Sequence, residues 1–167
     1  MNDKTFFNNS IPSIWKLIIS IVVCQGVGLL SAFLTSAEMN TWFDTLNKPS
    51  WNPPGYLFGP VWTFLYLLMG ISVWLIWKSN ISNRRKESAM TIFGVQLFFN
   101  FCWSIIFFRY HSPAWAFVDI LLMIITIIMT MISFSSISKP ATWLLLPYLL
   151  WVCFASFLNY TIWMMNS

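Results

Sequence analysis

Charged side chains are scarce in this sequence. Only 8% of the 167 residues are Asp, Glu, Lys or Arg, whereas roughly a quarter of the residues of a soluble domain are charged. This shortage excludes an ordinary soluble domain. Nine basic and five acidic residues leave a net charge of +4, but the basic residues lie between apolar runs rather than along one face. We therefore expect no nucleic-acid partner.

Residues that bind metals or form catalytic motifs are also few. Cys24, Cys102 and Cys153 lie far apart, each inside an apolar run, and no C-x-x-C spacing occurs. This pattern predicts buried free thiols rather than a zinc site or a disulfide framework. The single histidine, His111, is expected in a solvated connector, and one histidine is a poor basis for a haem site. No nucleophile motif, paired carboxylates or phosphate loop is present, so we expect neither hydrolytic chemistry nor a required cofactor.

Long apolar runs, in contrast, are abundant. Five of them, each about 21 to 24 residues, are long enough to cross a bilayer, and none alternates as the strands of a membrane barrel do. We predict an all-α membrane protein, a five-transmembrane-helix bundle that forms a single domain over residues 1–167. The predicted helices are residues 14–36, 55–77, 88–108, 114–135 and 142–165. Pro147 should kink the fifth.

The connector between the first two runs, about residues 37–54, is long, aromatic and rich in proline. The stretch over residues 42–62 reads WFDTLNKPSWNPPGYLFGPVW and holds four of the eight prolines and three of the eleven tryptophans. Because proline removes backbone freedom, this loop should be structured. Two interpretations are open. The loop folds back as a lid over a pocket between helices, or it is a re-entrant loop whose tryptophans only anchor the headgroup region.

The basic residues are unevenly divided between the two ends of such a bundle. With five spans, the N-terminus and the second and fourth connectors share one end. That end carries Lys4, Lys16, Lys78, Arg84, Arg85, Lys86 and Lys139, and the other carries Lys48 and Arg109. This bias predicts a cytoplasmic N-terminus and an external proline-rich loop. Residues 78–87 are expected to form a solvated connector.

Three helices each present a face on which aromatic rings mix with hydrogen-bonding groups. These faces are Gln96, Asn100, Trp103 and Phe107; Gly55, Phe58, Trp62, Tyr66 and Met69; and Tyr148, Trp151, Ala155 and Asn159. If the faces converge, they line an apolar pocket suited to a flat hydrophobic ligand. In the alternative, Gln96 and Asn100 only hold helices together by hydrogen bonds.

Asp119 is the only carboxylate inside a predicted span. A carboxyl group at that depth is either neutral or partnered. Arg109 is the nearest cation, across a short connector. The two residues are therefore predicted to form an interhelical clamp, with a proton relay as the alternative.

These residues resemble the translocator protein family, TspO/MBR, also known as the peripheral-type benzodiazepine receptor. The resemblance covers about residues 31–166 and is densest in residues 42–70, 96–108, 117–119 and 144–163. Its most specific elements are W-x-P-P followed by P-V-W-T in the first stretch, and P-Y-L-x-W in the last.

The resemblance implies a five-helix bundle in a lipid bilayer, often a homodimer, with a pocket under the first loop. That pocket would bind porphyrins and synthetic ligands of the benzodiazepine-receptor class. Some members degrade protoporphyrin IX in light, and the two tryptophans credited with that reaction match Trp62 and Trp151. Pocket positions of the family match Phe43, Pro53, Phe58, Tyr66, Asn100, Trp103 and Ala155.

Animal members carry a sterol-recognition pattern of Leu or Val, then Tyr, then Lys or Arg in the last span. Here Leu158 and Tyr160 are present, but no Lys or Arg follows. We therefore expect no sterol role, and a bacterial cell membrane rather than the mitochondrial outer membrane.

Three functions remain open at this point. The first is tetrapyrrole binding with light-dependent porphyrin degradation. The second is transport or sensing of porphyrins or lipids without chemistry. The third is a regulatory scaffold whose partner contacts Arg84, Arg85 and Lys86.

Overall fold

A computed structural model describes residues 11–39 and 41–167. This part of the chain contains helices α1 (Ser13–Met39), α2 (Trp42–Thr45), α3 (Gly55–Trp77), α4 (Asn83–Ser104), α5 (Pro113–Ser135), α6 (Lys139–Leu144) and α7 (Leu146–Met165). A π-helix, Ile105–Arg109, continues α4. Five helical stretches are long and apolar enough to cross a membrane, with α6 and α7 together forming the fifth. The predicted all-α membrane fold with five spans is confirmed, and the described residues include no strand.

Two helix ends differ from the sequence prediction. The first helix continues to Met39, so the connector is shorter than expected. The third span begins at Asn83, which places Arg84, Arg85 and Lys86 in the first turns of α4. The prediction that these residues lie in a solvated connector is wrong, and Lys86 is only 3% exposed. Lys, Arg and Glu are good helix formers, so the helix continues past the apolar run that was used to predict it. Lys4 lies outside the described residues.

The fifth span is broken at Leu145, between α6 and α7. Pro147 lies in the first turn of α7, where its missing N–H costs nothing. The predicted kink therefore takes the form of a helix break, bridged by a short-range hydrogen bond from Leu145 N to Thr142 O at 3.1 Å.

The cysteines differ in their surroundings. Cys24 is buried and Cys102 is half-buried, but Cys153 is exposed. The prediction of burial is therefore wrong for Cys153. It lies on the outer face of α7, where an apolar side chain is stable because lipid replaces the protein core.

Helix α1 packs along α3, and glycine allows their backbones to approach closely. A Cβ added at Gly70 would lie 2.8 Å from the Cα atom and 3.1 Å from the backbone N of Ile21. A Cβ added at Gly28 would collide with the ring of Tyr66. Small residues serve this purpose in membrane helix pairs, where van der Waals packing drives association.

We expect Gly70→Ala to destabilise the bundle by about 1–3 kcal/mol, because backbone atoms of Ile21 must move to admit the methyl group. Gly94→Ala is the matched control. It adds the same methyl group to α4 with nothing within 4 Å and should stabilise by about 0.5–1 kcal/mol through helix propensity. Unfolding in mixed micelles measures both values. Equal changes in the two variants would contradict the close contact at Gly70.

Candidate ligand-binding site

A cavity of about 500 Å³ lies between the proline-rich loop, residues 41–54, and the helix ends beneath it. The π-helix contributes Phe107 and Phe108, and α4 contributes Trp103. Helix α7 contributes Ala155 and three further residues: Leu158, Asn159 and Ile162. The walls are therefore largely aromatic and aliphatic, as in most sites for small organic ligands.

The loop is ordered by its own turns and by aromatic contacts. Asn52 N donates to Pro49 O at 2.9 Å, which closes the turn before Pro53. Phe43, on the short helix α2, is buried against Phe108, with ring centroids 5.6 Å apart. Trp51 stacks on Phe157 of α7 at 5.2 Å. This packing over the cavity favours the lid interpretation of the loop.

Polar groups of the cavity come mainly from this loop. Lys48 donates from Nζ to Phe43 O at 2.7 Å, and the ammonium lies 4.6 Å from the centre of the Phe43 ring. Its ion pair with Asp44 is long, 3.8 Å, and the Asp44 side chain is 71% exposed. Such an exposed pair contributes little to stability. The Lys48 ammonium is thus held at the cavity by the carbonyl oxygen and the ring of Phe43. It can still pair with an acidic group of a ligand.

Asn166 fastens the loop to the end of α7. Its Oδ1 accepts from Asn47 N at 2.9 Å, and its Nδ2 donates to Asn47 O at the same distance. Nδ2 also donates to Ile162 O at 2.7 Å. Sequence analysis missed this residue, because a single asparagine after the last apolar run carries no signal about a loop 119 positions away.

The connector after the π-helix contradicts one prediction and confirms another. Nη1 of Arg109 lies 3.7 Å from Glu38 Oε1, so the expected clamp with Asp119 is not formed. Glu38 lies in the last turn of α1, beside the exposed end of the π-helix. Arg109 can stay hydrated there, whereas pairing with Asp119 would bury its charge. His111 is exposed in this connector, as predicted, and it also has two partners. Its Nε2 lies 2.9 Å from Glu38 Oε2, and its ring stacks on Trp42 at 4.4 Å.

Two of the predicted ligand contacts, Tyr66 and Asn100, lie outside the cavity in a buried hydrogen-bond network. The Tyr66 hydroxyl donates to Asn100 Oδ1, and Asn100 Nδ2 donates to the Tyr148 hydroxyl at 3.0 Å. Tyr148 in turn donates to Gln96 Oε1 at 2.8 Å. The network joins α3, α4 and α7, as expected if Gln96 and Asn100 hold helices together.

A second pair of hydrogen bonds fixes one wall of the cavity. Trp103 Nε1 donates to Asn159 Oδ1 at 3.0 Å, and Asn159 Nδ2 donates to Pro113 O at 2.7 Å. The indole of Trp103 also stacks on Phe107 at 5.4 Å. These contacts hold the Trp103 ring in one orientation, which prepares a flat surface for a ligand.

The two predicted catalytic tryptophans lie just below the cavity. Trp62 is four residues after Phe58 on α3, and Trp151 is four residues before Ala155 on α7. Each indole is thus one helical turn, about 5.4 Å, further from the loop than a cavity-lining residue of its own helix. Phe58 contacts Trp151 edge to face at 6.2 Å. Trp62 packs on Tyr148 at 6.3 Å, in the gap between α3 and α7.

The predicted site residues therefore fall into three groups. Phe43, Pro53, Phe58, Trp103 and Ala155 line the cavity. Trp62 and Trp151 are half-buried beneath it and pack against the core that contains Tyr66, whose hydroxyl belongs to the network with Asn100 and Gln96. Asp119 and Arg109 lie elsewhere. No group of three His, Cys, Asp or Glu residues that could hold a metal ion occurs within the described ranges.

Known proteins match this chain over nearly its whole length, including the cavity. The model of the TspO/MBR family matches residues 20–164, which include every residue that lines the cavity. The tryptophan-rich protein TspO of Chlorobaculum tepidum is 43% identical over 153 residues, 92% of this chain and 97% of that protein. The TspO of Archaeoglobus fulgidus is 40% identical over 155 residues, 93% and 99% of the two chains. The translocator protein of Bos taurus is 37% identical over 142 residues, 84% and 83%.

Proposed function

The chain belongs to the TspO/MBR family of membrane proteins, and on this premise we propose that it binds tetrapyrroles, such as protoporphyrin IX, under its proline-rich loop. The observation that carries the proposal is the aromatic cavity with a single cation at its loop side.

We also propose that the protein lies in a bacterial cell membrane as a homodimer, with the loop outside. The basic residues at the opposite end support that orientation.

The shape and chemistry of the cavity suit a flat, apolar, acidic ligand. Its volume, about 500 Å³, lies within the range of roughly 300–1,000 Å³ that is usual for small-molecule sites. Phe43, Trp103 and the two phenylalanines of the π-helix offer aromatic faces and edges to a conjugated ring. Lys48 is positioned for the carboxylates of such a ring, which would take the place of the weakly held Asp44.

Light-dependent degradation is the chemistry we propose for this site. The excited porphyrin can take an electron from Trp62 or Trp151, one turn below the cavity, and pass it to dissolved dioxygen. The indole radical cation then takes an electron from the porphyrin, which restores the indole and leaves a porphyrin radical cation beside superoxide. These combine so that both oxygen atoms add across one C=C bond of the ring; that bond and the O–O bond break, and two carbonyl groups remain.

The test is illumination of purified protein with protoporphyrin IX in air. We expect Trp62→Phe combined with Trp151→Phe to slow the loss of porphyrin absorbance by about tenfold or more, while binding is largely kept. Trp143→Phe is the control, because Trp143 is 68% exposed on α6 and away from the cavity. Decay at the wild-type rate in the double variant would remove the catalytic assignment. Binding without light-dependent loss in the wild type would favour transport or sensing.

We also expect the loop to control ligand release. Asn166→Ala removes both hydrogen bonds to Asn47 and should raise the dissociation rate of protoporphyrin IX about fivefold to tenfold, with little change in association. Stopped-flow fluorescence measures both rates. Asn80→Ala, an exposed asparagine at the opposite end of the bundle, is the control. Identical release from Asn166→Ala and wild type would show that the loop is no lid.

A further inference from the structure

A second cavity, of about 480 Å³, lies on the outer surface of the bundle between the π-helix and α5. It has no part in the tetrapyrrole site. The side chains of Trp115 and Tyr110 at its rim are 67% and 72% exposed. Val118 and Leu122 form its apolar wall and are themselves about half exposed, as expected for residues that face lipid.

Asp119 is the buried carboxylate of this groove, and it lacks a hydrogen-bond partner among the described residues. The residue is only 7% exposed, and its Oδ2 is buried without a hydrogen-bond partner among the described residues. Arg109, the cation expected to neutralise it, is paired with Glu38 instead. A buried polar atom without a partner is costly, and in a membrane no water offsets the cost. Rotation of the carboxyl group, a soft torsion, exchanges its two oxygens.

The depth of Asp119 indicates what could reach it. Asp119 lies six residues after Pro113, the first residue of α5, or roughly 9 Å along the helix. Trp115 lies one turn closer to the helix end and marks the level of the lipid headgroups. A partner for Asp119 must therefore sit just below the headgroups, with its apolar body extending along Val118 and Leu122 toward the bilayer centre.

We propose that this groove binds a membrane amphiphile with a single hydroxyl group as its head and an apolar body, the hydroxyl hydrogen-bonding to Asp119. A hydroxyl fits because it both donates and accepts. It can therefore satisfy Asp119 as a carboxylate or as a carboxylic acid. An ammonium group would place two charges at the edge of the hydrocarbon region, where the cost of desolvating both charges opposes the pair.

The probe is a long-chain primary alcohol with a diazirine in its chain, compared with its methyl ether, which cannot donate. Both are added to the full-length protein in phosphatidylcholine nanodiscs and photolysed, and the labelled peptides are identified by mass spectrometry. We expect the alcohol to label the segment from Trp115 to Leu122 about fivefold more than the ether does, which corresponds to one hydrogen bond. Asp119→Leu should abolish this preference.

A second variant keeps the test decisive if Asp119→Leu does not fold. Leu122→Trp fills the groove and leaves Asp119 in place, so it should reduce labelling of this segment by the alcohol to the background level. Ile125→Trp, which is exposed on the same helix but outside the groove, should not. Equal labelling by alcohol and ether, or undiminished labelling of Leu122→Trp, would overturn the proposal. So would cross-linking of a photoreactive residue at position 118 to a second copy of the chain.

Discussion

Replacement of Ala155 by tryptophan is expected to weaken protoporphyrin IX binding by about a hundredfold or more, or about 2.7 kcal/mol. Ala155 is the smallest side chain of α7 that lines the cavity, and it is only 9% exposed. An indole at this position would project into the space that the ligand must occupy. Overpacking costs typically 1–3 kcal/mol, and here much of that cost should appear as lost affinity, because the cavity can accept the new side chain when no ligand is bound.

The binding measurement for Ala155→Trp is quenching of tryptophan fluorescence by a protoporphyrin IX titration. Cys153→Trp is the control: it adds the same side chain two residues away on the exposed face of α7. Thermal unfolding in detergent establishes that both variants are folded, and Ala155→Leu should give an intermediate loss. Wild-type affinity in Ala155→Trp would mean that tetrapyrroles bind elsewhere on the protein.

Removal of the Tyr148 hydroxyl group should lower the free energy of unfolding substantially, although the substitution deletes only one oxygen atom. Tyr148 is fully buried, and its hydroxyl donates to Gln96 Oε1 and accepts from Asn100 Nδ2. In Tyr148→Phe both amides lose a partner in a region that water does not reach. Each buried group left unsatisfied costs about 1–3 kcal/mol in soluble proteins, and hydrogen bonds between membrane helices are worth about 0.6 kcal/mol on average.

We therefore expect Tyr148→Phe to lower the free energy of unfolding by about 2 kcal/mol. Denaturation in mixed micelles, followed by circular dichroism, measures the change. Tyr160→Phe makes the same substitution on the same helix at a residue that is 42% exposed, and it should leave stability unchanged. If the two variants were equally stable, the network that joins α3, α4 and α7 would not contribute to stability.

The cavity residues were predictable because they lie in the loop and on helix faces that the sequence pattern identifies. Phe43, Pro53, Phe58, Trp103 and Ala155 line the cavity as expected from the resemblance. Tyr66 and Asn100 share those helix faces, but they lie deeper along α3 and α4. Helical periodicity gives the direction of a side chain and not how far a cavity extends along the helix. Contact of Trp62 and Trp151 with a ligand stays a prediction for the same reason.

The π-helix was not predictable from the pattern of apolar residues. Residues 105–109 read as the end of an ordinary apolar helix, yet Tyr110 N donates to Ile105 O. The wider turn adds a residue and changes the directions of the side chains that follow. Phe107 and Phe108 therefore line the tetrapyrrole cavity, while Ile106 lines the groove beside Asp119.

The sequence by itself determined the five spans, their order, the ordered proline-rich loop and the family. Hydropathy, proline content and short motifs are properties of neighbouring residues, so they can be read along the chain. Only the tertiary structure decided which polar groups meet: Asn166 with Asn47, Glu38 with Arg109 and His111, Tyr148 with Gln96 and Asn100, and Asp119 with none of the described residues. These outcomes depend on which side chains come within hydrogen-bond or ion-pair distance of one another, and those distances are set by packing between segments far apart in sequence.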